Sequence, residues 1–215
     1  MEELTVTIFK DIKDIQSPHH ITIQTALDRI KNGKSKSLIE RVRGTHSVDE
    51  NNNPVKDKEA KKELPVVCFS GMFESRRDDA LTTHNGLIVL DFDHIDVDGS
   101  KSILATDDYI KACWISPSGD GLKALIKIST PLKHREHFKA IQLYMERTYG
   151  LEVDPSGKNE SRACFESYDE DIIINEHSKT FSSLVSKTEE KQKAEHKQIT
   201  TDYNKLAVIS SIVRR

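Results

Sequence analysis

The 215 residues are enough for one large domain or a domain and a half, and the 36% apolar and 31% charged content describes a hydrophilic chain with a modest core. The formal net charge of −3 leaves no global basic footprint, so a nucleic-acid partner would need a local basic patch or bridging metal ions. The opening MEELTVTIFK lacks a cationic-then-apolar leader, no apolar run approaches the ~20 residues of a membrane span, and the three cysteines are odd in number and not spaced as zinc ligands; the expectation is a cytoplasmic protein, with no membrane partner and with buried thiols.

LTVTIF alternates and is β-branched, which predicts a first strand. ITIQTALDRIKNG has apolar residues at helical spacing and reads as a helix closed by Gly33; SKSLIERVRG predicts a second short helix, Ser37 to Arg43, again closed by glycine. The polar stretch from Gly44 to Lys62 is an exposed loop or the lead-in to the next element. LPVVCFSGMF is a strand with a Ser-Gly break, ESRRDDALTTHN a polar connection, and GLIVLDFDHI a second apolar strand. DVDGSKSILATDD predicts a short helix, IKACWISPSGDGLKALIKI two strands around a turn, and HREHFKAIQLYMERTYG a helix stopped by Gly150. A loop and two short strands follow in LEVDPSGKNESRACFESYDEDIIIN. From about Lys187 the chain is highly charged and reads as a linker or exposed helix, and TTDYNKLAVISSIVRR has an apolar stripe without a closing cap, as though a longer protein continued. Strands outnumber helices, so the fold class is α+β or an open α/β sandwich. The domain reading is an N-terminal αβ module over 1–62, packed as one compact domain with a core over 63–182, then a connector over 183–215 leading to a missing downstream region.

Three clusters fall at strand ends. In the first, Leu87 to Leu90 read as a strand buried on both faces, and Asp91 and Asp93 follow with side chains on the same side. Two such carboxylates repel by roughly 2–4 kcal/mol at a surface-like dielectric. A divalent cation offsets that cost, because hard metals take carboxylate oxygens; a solvated strand end is the bland alternative. The second cluster is SPSGDGLK, Ser116 to Lys123. Gly119 and Gly121 can take positive φ and bring backbone N–H groups close to an anion, Ser118 adds a hydroxyl and Lys123 a charge; the same residues also make an ordinary hairpin turn. The third is VDPSGKNESRACF, with Asp154, Lys158 and Arg162, where Arg suits bidentate phosphate contacts and Asp-Pro-Ser-Gly alternatively makes a turn. A Walker loop and an EF-hand are excluded by spacing, and Ile95 stands where a haloacid-dehalogenase motif needs Thr or Val. His84, His94 and His134 read as surface residues.

Taken together, LPVVCFSGMFESRR, GLIVLDFDHID, ISPSGDGLKALIKI and DPSGKNESRACFESYDEDIIIN resemble the VirE N-terminal domain family, a divergent branch of the archaeo-eukaryotic primase, or primase-polymerase, superfamily. The resemblance covers roughly Phe9 to Asn175. It implies a primase-polymerase-like α+β fold, with a central, mostly antiparallel, RRM-like sheet flanked by helices. It implies catalytic, metal-holding carboxylates at Asp91, Asp93 and Asp154 with Mg²⁺ or Mn²⁺ as cofactor. It also implies that Ser118, Gly119, Gly121, Lys123 and Arg162, with Lys158 as a weaker candidate, bind nucleotide phosphates. The implied partners are nucleoside triphosphates, single-stranded DNA or a primer-template, and a VirE-type helicase in the same or a neighbouring chain. Such domains occur mostly in mobile-element and plasmid proteins of Bacteroidetes.

The implied reaction is template-directed nucleotidyl transfer. One departure matters: the superfamily's second motif carries a histidine, and Lys123 is the nearest match here. Lysine keeps the charge but not the titration near neutral pH. A non-catalytic nucleotide- or nucleic-acid-binding module, or a metal-dependent phosphohydrolase, therefore stays open. Asp91→Ala is expected to abolish metal binding and activity and to leave the fold intact.

Overall fold

The computed structural model describes residues 4–45, 50, 55 and 57–185. The chain divides after Ser182 into a unit that holds every described element and a second unit, 183–215. The expected charged linker and C-terminal helix, and much of the polar stretch after Gly44, lie outside the described residues.

The fold is mixed α+β, with antiparallel sheets and several helices. The strands fall into two four-stranded sheets and a hairpin rather than the single central sheet expected. In the first sheet β1 (Thr5–Phe9) lies between β2 (His19–Thr22) and β3 (Val66–Cys68), and β9 (Cys164–Phe165) flanks β3. In the second, β8 (Gly121–Lys127) is paired on one side with β6 (Leu87–Asp93) and on the other with β7 (Ile110–Ile115), and β10 (Ile173–Ile174) flanks β7. β4 (Gly71–Phe73) and β5 (Leu81–His84) form the hairpin. Two of these strands, β2 and β5, fall in stretches whose sequence reads as helix start and as polar connection.

The helices follow their local signals. α1 (Ile23–Lys31) begins where the Thr22 side chain accepts from the Thr25 amide, two residues later than the apolar spacing suggests, because Ile21 and Thr22 pair with β1. α2 (Lys36–Arg43) ends before Gly44, and the single turn α3 (Ala60–Glu63) forms inside the polar stretch. Asp96 caps α4 (Val97–Leu104) by accepting from the Gly99 amide. The 16-residue α5 (His134–Tyr149) stops at Gly150, whose φ of 67° suits a residue without Cβ.

One core cluster joins both sheets to α1. Val6 and Ile8 of β1, Val67 of β3, Ile23, Ala26, Leu27 and Ile30 of α1, Leu87 and Val89 of β6, Trp114 of β7 and Leu125 of β8 all belong to it. Its edge is fixed by a buried acid: Glu166 takes the Arg29 guanidinium at 2.5 and 3.2 Å and also the Ser35 hydroxyl, which ties α1 to the chain after β9. The three cysteines are free and buried, Cys68 in β3, Cys164 in β9 and Cys113 in β7.

The histidines correct the surface expectation in part. His94 is exposed, but His134 is only 2% exposed, and its Nδ1 lies 2.9 Å from Nε2 of the half-buried His84. The Gly86 amide donates to His84 Nδ1, so His84 carries its proton on Nε2 and donates to His134. Burial pushes His84 down to about 4, and burial with the neighbouring His84 and Arg135 pushes His134 down to about 3.

Candidate metal and phosphate site

β6 carries the site because of its parity. Leu87, Val89, Asp91 and Asp93 share one face of the strand; the first two are core and the last two are not. The same face therefore runs from the interior into a pocket. Across the ladder Asp91 stands opposite Lys123 and Asp93 opposite Gly121. The Gly121 position has no room for a side chain, because a Cβ there would lie 2.2 Å from the Phe92 carbonyl oxygen. β6 is the outer strand of its sheet, and the chain after α5 uses that free edge: the Asp154 amide donates to the Asp91 carbonyl at 2.9 Å. The 3-10 turn Pro155–Lys158 then packs so closely that a Cβ on Gly157 would touch the Phe138 ring at 3.0 Å.

This edge contact brings the third carboxylate to the first two. Asp91, Asp93 and Asp154 each offer an oxygen within 4.8 Å of the others. Two cations already answer part of their charge. Lys123 Nζ is 2.5 Å from Asp91 Oδ2, with side chains 8% and 14% exposed. Arg162 Nη2 reaches Asp154 Oδ2 at 3.2 Å and Asp91 Oδ2 at 3.5 Å. Burial works to raise the Asp154 carboxyl, but the Ser156 hydroxyl and amide and the charges of Arg162 and Lys123 outweigh it and hold the group below its ordinary value. Asp93 is exposed and has no ion pair among the described residues. Asp91 Oδ1 is buried with no hydrogen-bond partner among the described residues.

The repulsion between the paired aspartates is thus offset from within, by Lys123 and Arg162. Asp91→Ala, which the sequence expects to leave the fold intact, strands a buried ammonium in this structure. A divalent cation still fits the residues. The donor set is all carboxylate, which suits Mg²⁺ or Mn²⁺, and the orphaned Oδ1 is an open coordination position.

A pocket of about 240 Å³ opens over these groups. Its polar wall is Asp91, Asp93, Ser116, Ser118, Lys123 and Arg162. Ile12, Pro117, Ala163 and Phe165, with Lys61, complete the lining. The Lys61 ammonium lies over the Phe165 ring, 5.5 Å from its centroid. Asp154, Gly119, Gly121 and Lys158 are not among the lining residues. Lys158 is exposed, on the 3-10 turn. The turn between β7 and β8 differs in detail from a backbone anion cradle. Gly119 has the anticipated positive φ, 83°, but its amide donates to the Ser116 carbonyl at 3.0 Å and closes the turn; Gly121 is a strand residue.

Three contributors give no signal in the sequence. Arg43, in the last turn of α2, is half-buried and donates to the carbonyls of Ser116 and Tyr168, both at 3.0 Å; its partial burial lowers its pKa. Lys61 and Ile12 reach the pocket from the first 62 residues, a part of the chain in which the sequence shows no chemistry.

The family model for the BT4734-like N-terminal domain matches residues 59–173, just over half of the chain. The chain belongs to the BT4734-like N-terminal domain family. The BT4734-like segment contains all three clusters, and Lys61 as well, while β1, β2, α1 and α2 precede it. No curated protein and no solved structure matches the chain. Among the described residues no helix is long and apolar enough to cross a membrane.

Proposed function

We propose that this BT4734-like domain is a primase-polymerase-like module, related to the VirE N-terminal domains, that performs metal-dependent nucleotidyl transfer on a DNA template during replication of mobile elements or plasmids. The observation that carries the reading is the convergence of Asp91, Asp93 and Asp154 within 4.8 Å beside two cations, with Asp91, Asp93, Lys123 and Arg162 lining one pocket. Carboxylates for a divalent ion next to Lys and Arg for phosphate oxygens are what phosphoryl transfer needs.

In this reading Asp93, the carboxylate without an ion pair among the described residues, and Asp91, through its Oδ1, hold Mg²⁺ or Mn²⁺ together with Asp154. The bound ion supplies neutralisation of phosphate charge and a lowered pKa for an attacking 3′-hydroxyl. Arg162 and Lys123 neutralise the polyphosphate, with the Ser118 hydroxyl as a further donor. At about 240 Å³ the pocket suits the phosphate end of a nucleotide, since pockets for whole drug-sized ligands run to ~300–1,000 Å³. The net charge of −3 makes single-stranded DNA binding weak and salt-sensitive. A VirE-type helicase is the partner that the resemblance implies.

The test is extension of a primer on a single-stranded template with Mg²⁺ or Mn²⁺, comparing wild type with Asp93→Ala. Metal-dependent incorporation that the substitution abolishes supports the proposal; wild-type activity in Asp93→Ala refutes it. One observation favours a second reading, a nucleotide- or nucleic-acid-binding module without catalysis. Lys123, 2.5 Å from Asp91, already gives the acidic cluster an internal counter-ion. Nucleotide binding with no incorporation would select that reading. Triphosphate turnover without template or primer would select a phosphohydrolase.

A further inference from the structure

The ion pairs go one step further, on the basis of the metal-site reading above. Asp91 Oδ2 is claimed twice, by Lys123 Nζ at 2.5 Å and by Arg162 Nη2 at 3.5 Å. Asp154 Oδ2 is claimed twice as well, by Arg162 at 3.2 Å and by the Ser156 hydroxyl at 2.6 Å. A divalent ion that enters alone can take the orphaned Asp91 Oδ1, but only against the charges of Lys123 and Arg162, which already hold Oδ2 of the same carboxylate. Two further positive charges beside an ammonium whose side chain is 8% exposed, with no anion to answer them, are costly. A polyphosphate that enters alone meets three carboxylates, and the two cations that would attract it are already occupied. When both enter, each removes the obstacle of the other. The metal takes the carboxylates, and the phosphate oxygens take the ammonium and the guanidinium.

We propose that Lys123 and Arg162 are exchangeable counter-ions of the acidic triad, so that a divalent cation and a polyphosphate bind as a mutually dependent pair. Lys123 restrains the metal in the absence of the anion and binds the anion once the metal arrives. This makes lysine more than a weakened substitute for histidine. A neutral imidazole would set no charge against an entering metal, whereas an ammonium paired to Asp91 does so until a phosphate partner is present.

The experiment is calorimetry on the full chain, with wild type, Lys123→Gln and Arg162→Gln. Each is titrated with Mn²⁺ alone and, separately, with preformed Mg²⁺–tripolyphosphate. Removing either cation is expected to tighten Mn²⁺ binding about tenfold and to weaken Mg²⁺–tripolyphosphate binding by about tenfold or more, within the range of ordinary site-to-site coupling. Shifts of opposite sign separate this role from structural damage, which weakens both. Arg162, the more exposed of the two, covers the case in which Lys123→Gln does not fold. Mn²⁺ affinity that is unchanged or weaker in the folded variants overturns the proposal, and so does the absence of Mn²⁺ binding to every protein. Opposite shifts without templated extension leave this inference standing and remove nucleotidyl transfer; extension without such shifts does the reverse.

Discussion

The Arg43 guanidinium donates to the Ser116 carbonyl at 3.0 Å, so the last turn of α2 holds the first residue of the turn that enters the pocket. The same Nη2 takes the Tyr168 carbonyl, and Gly119 passes over the arginine stem with its Cβ position 3.5 Å away. Arg43→Ala removes charged hydrogen bonds in a partly buried setting. The expected loss is about 2–3 kcal/mol in urea unfolding, together with weaker nucleotide binding. Arg43→Lys should recover only part of both, because one ammonium lacks the fork that spans two carbonyls.

Asp91 and Asp93 should separate in their effects on stability. Asp91→Ala leaves Lys123 buried without its partner and is expected to cost about 3–5 kcal/mol, whereas Asp93→Ala, at an exposed position with no ion pair among the described residues, should melt within a degree or two of wild type. Both should lose metal binding. Thermal melts beside metal titrations check the contrast, and equal melting temperatures would contradict the ion-pair account.

The two motif glycines should differ for a similar reason. Gly119→Ala meets only ordinary contacts at 3.5 Å but must hold a φ of 83°, a cost of about 1–2 kcal/mol. Gly121→Ala would put a methyl 2.2 Å from the Phe92 carbonyl oxygen and force β6 and β8 apart beside Asp93. Its cost should be larger, and metal binding should fall with it. Denaturant midpoints and Mn²⁺ titration of both variants test the order.

Acid should weaken the fold through His134. In the unfolded chain a histidine takes up its proton near 6.5, but burial beside His84 and Arg135 holds folded His134 neutral down to about 3. The unfolded state therefore binds more protons below 6.5. Stability from this group is complete above 6.5 and declines as pH falls toward 3, by up to about 1.4 kcal/mol per pH unit. Urea unfolding between pH 7.5 and 5 should show the decline, and His134→Gln should make it shallower, leaving the share that His84 contributes with the same sign.

The legible parts of this protein are those that local chemistry decides. The apolar runs of β1, β3, β6, β7 and β8, the turn residues between β7 and β8, and the Gly150 stop of α5 all follow from their own neighbours. The shared face of Asp91 and Asp93 follows from strand parity alone. What escaped is set by distant partners. HHIT and LTTH are too polar to announce strands, and it is backbone pairing to β1 and β4 that makes them β2 and β5. The split into two sheets depends on which strands find each other. Arg43 looks like an ordinary basic residue near a helix end, and Lys61 like one of several lysines in a polar run. The role of Lys123 was only half visible: its charge was plain, but its partner Asp91 lies across the ladder, 32 positions away.

The cysteines give the molecule its own reporters. Burial pushes Cys68 and Cys113 up to about 12 and Cys164 up to about 11, so at neutral pH none presents a reactive thiolate. Cys68 and Cys164 belong to one four-stranded sheet and Cys113 to the other. An alkylating reagent will therefore mark each sheet only when that sheet opens. The order in which the three positions become labelled will show which half of the fold yields first, without the introduction of any probe.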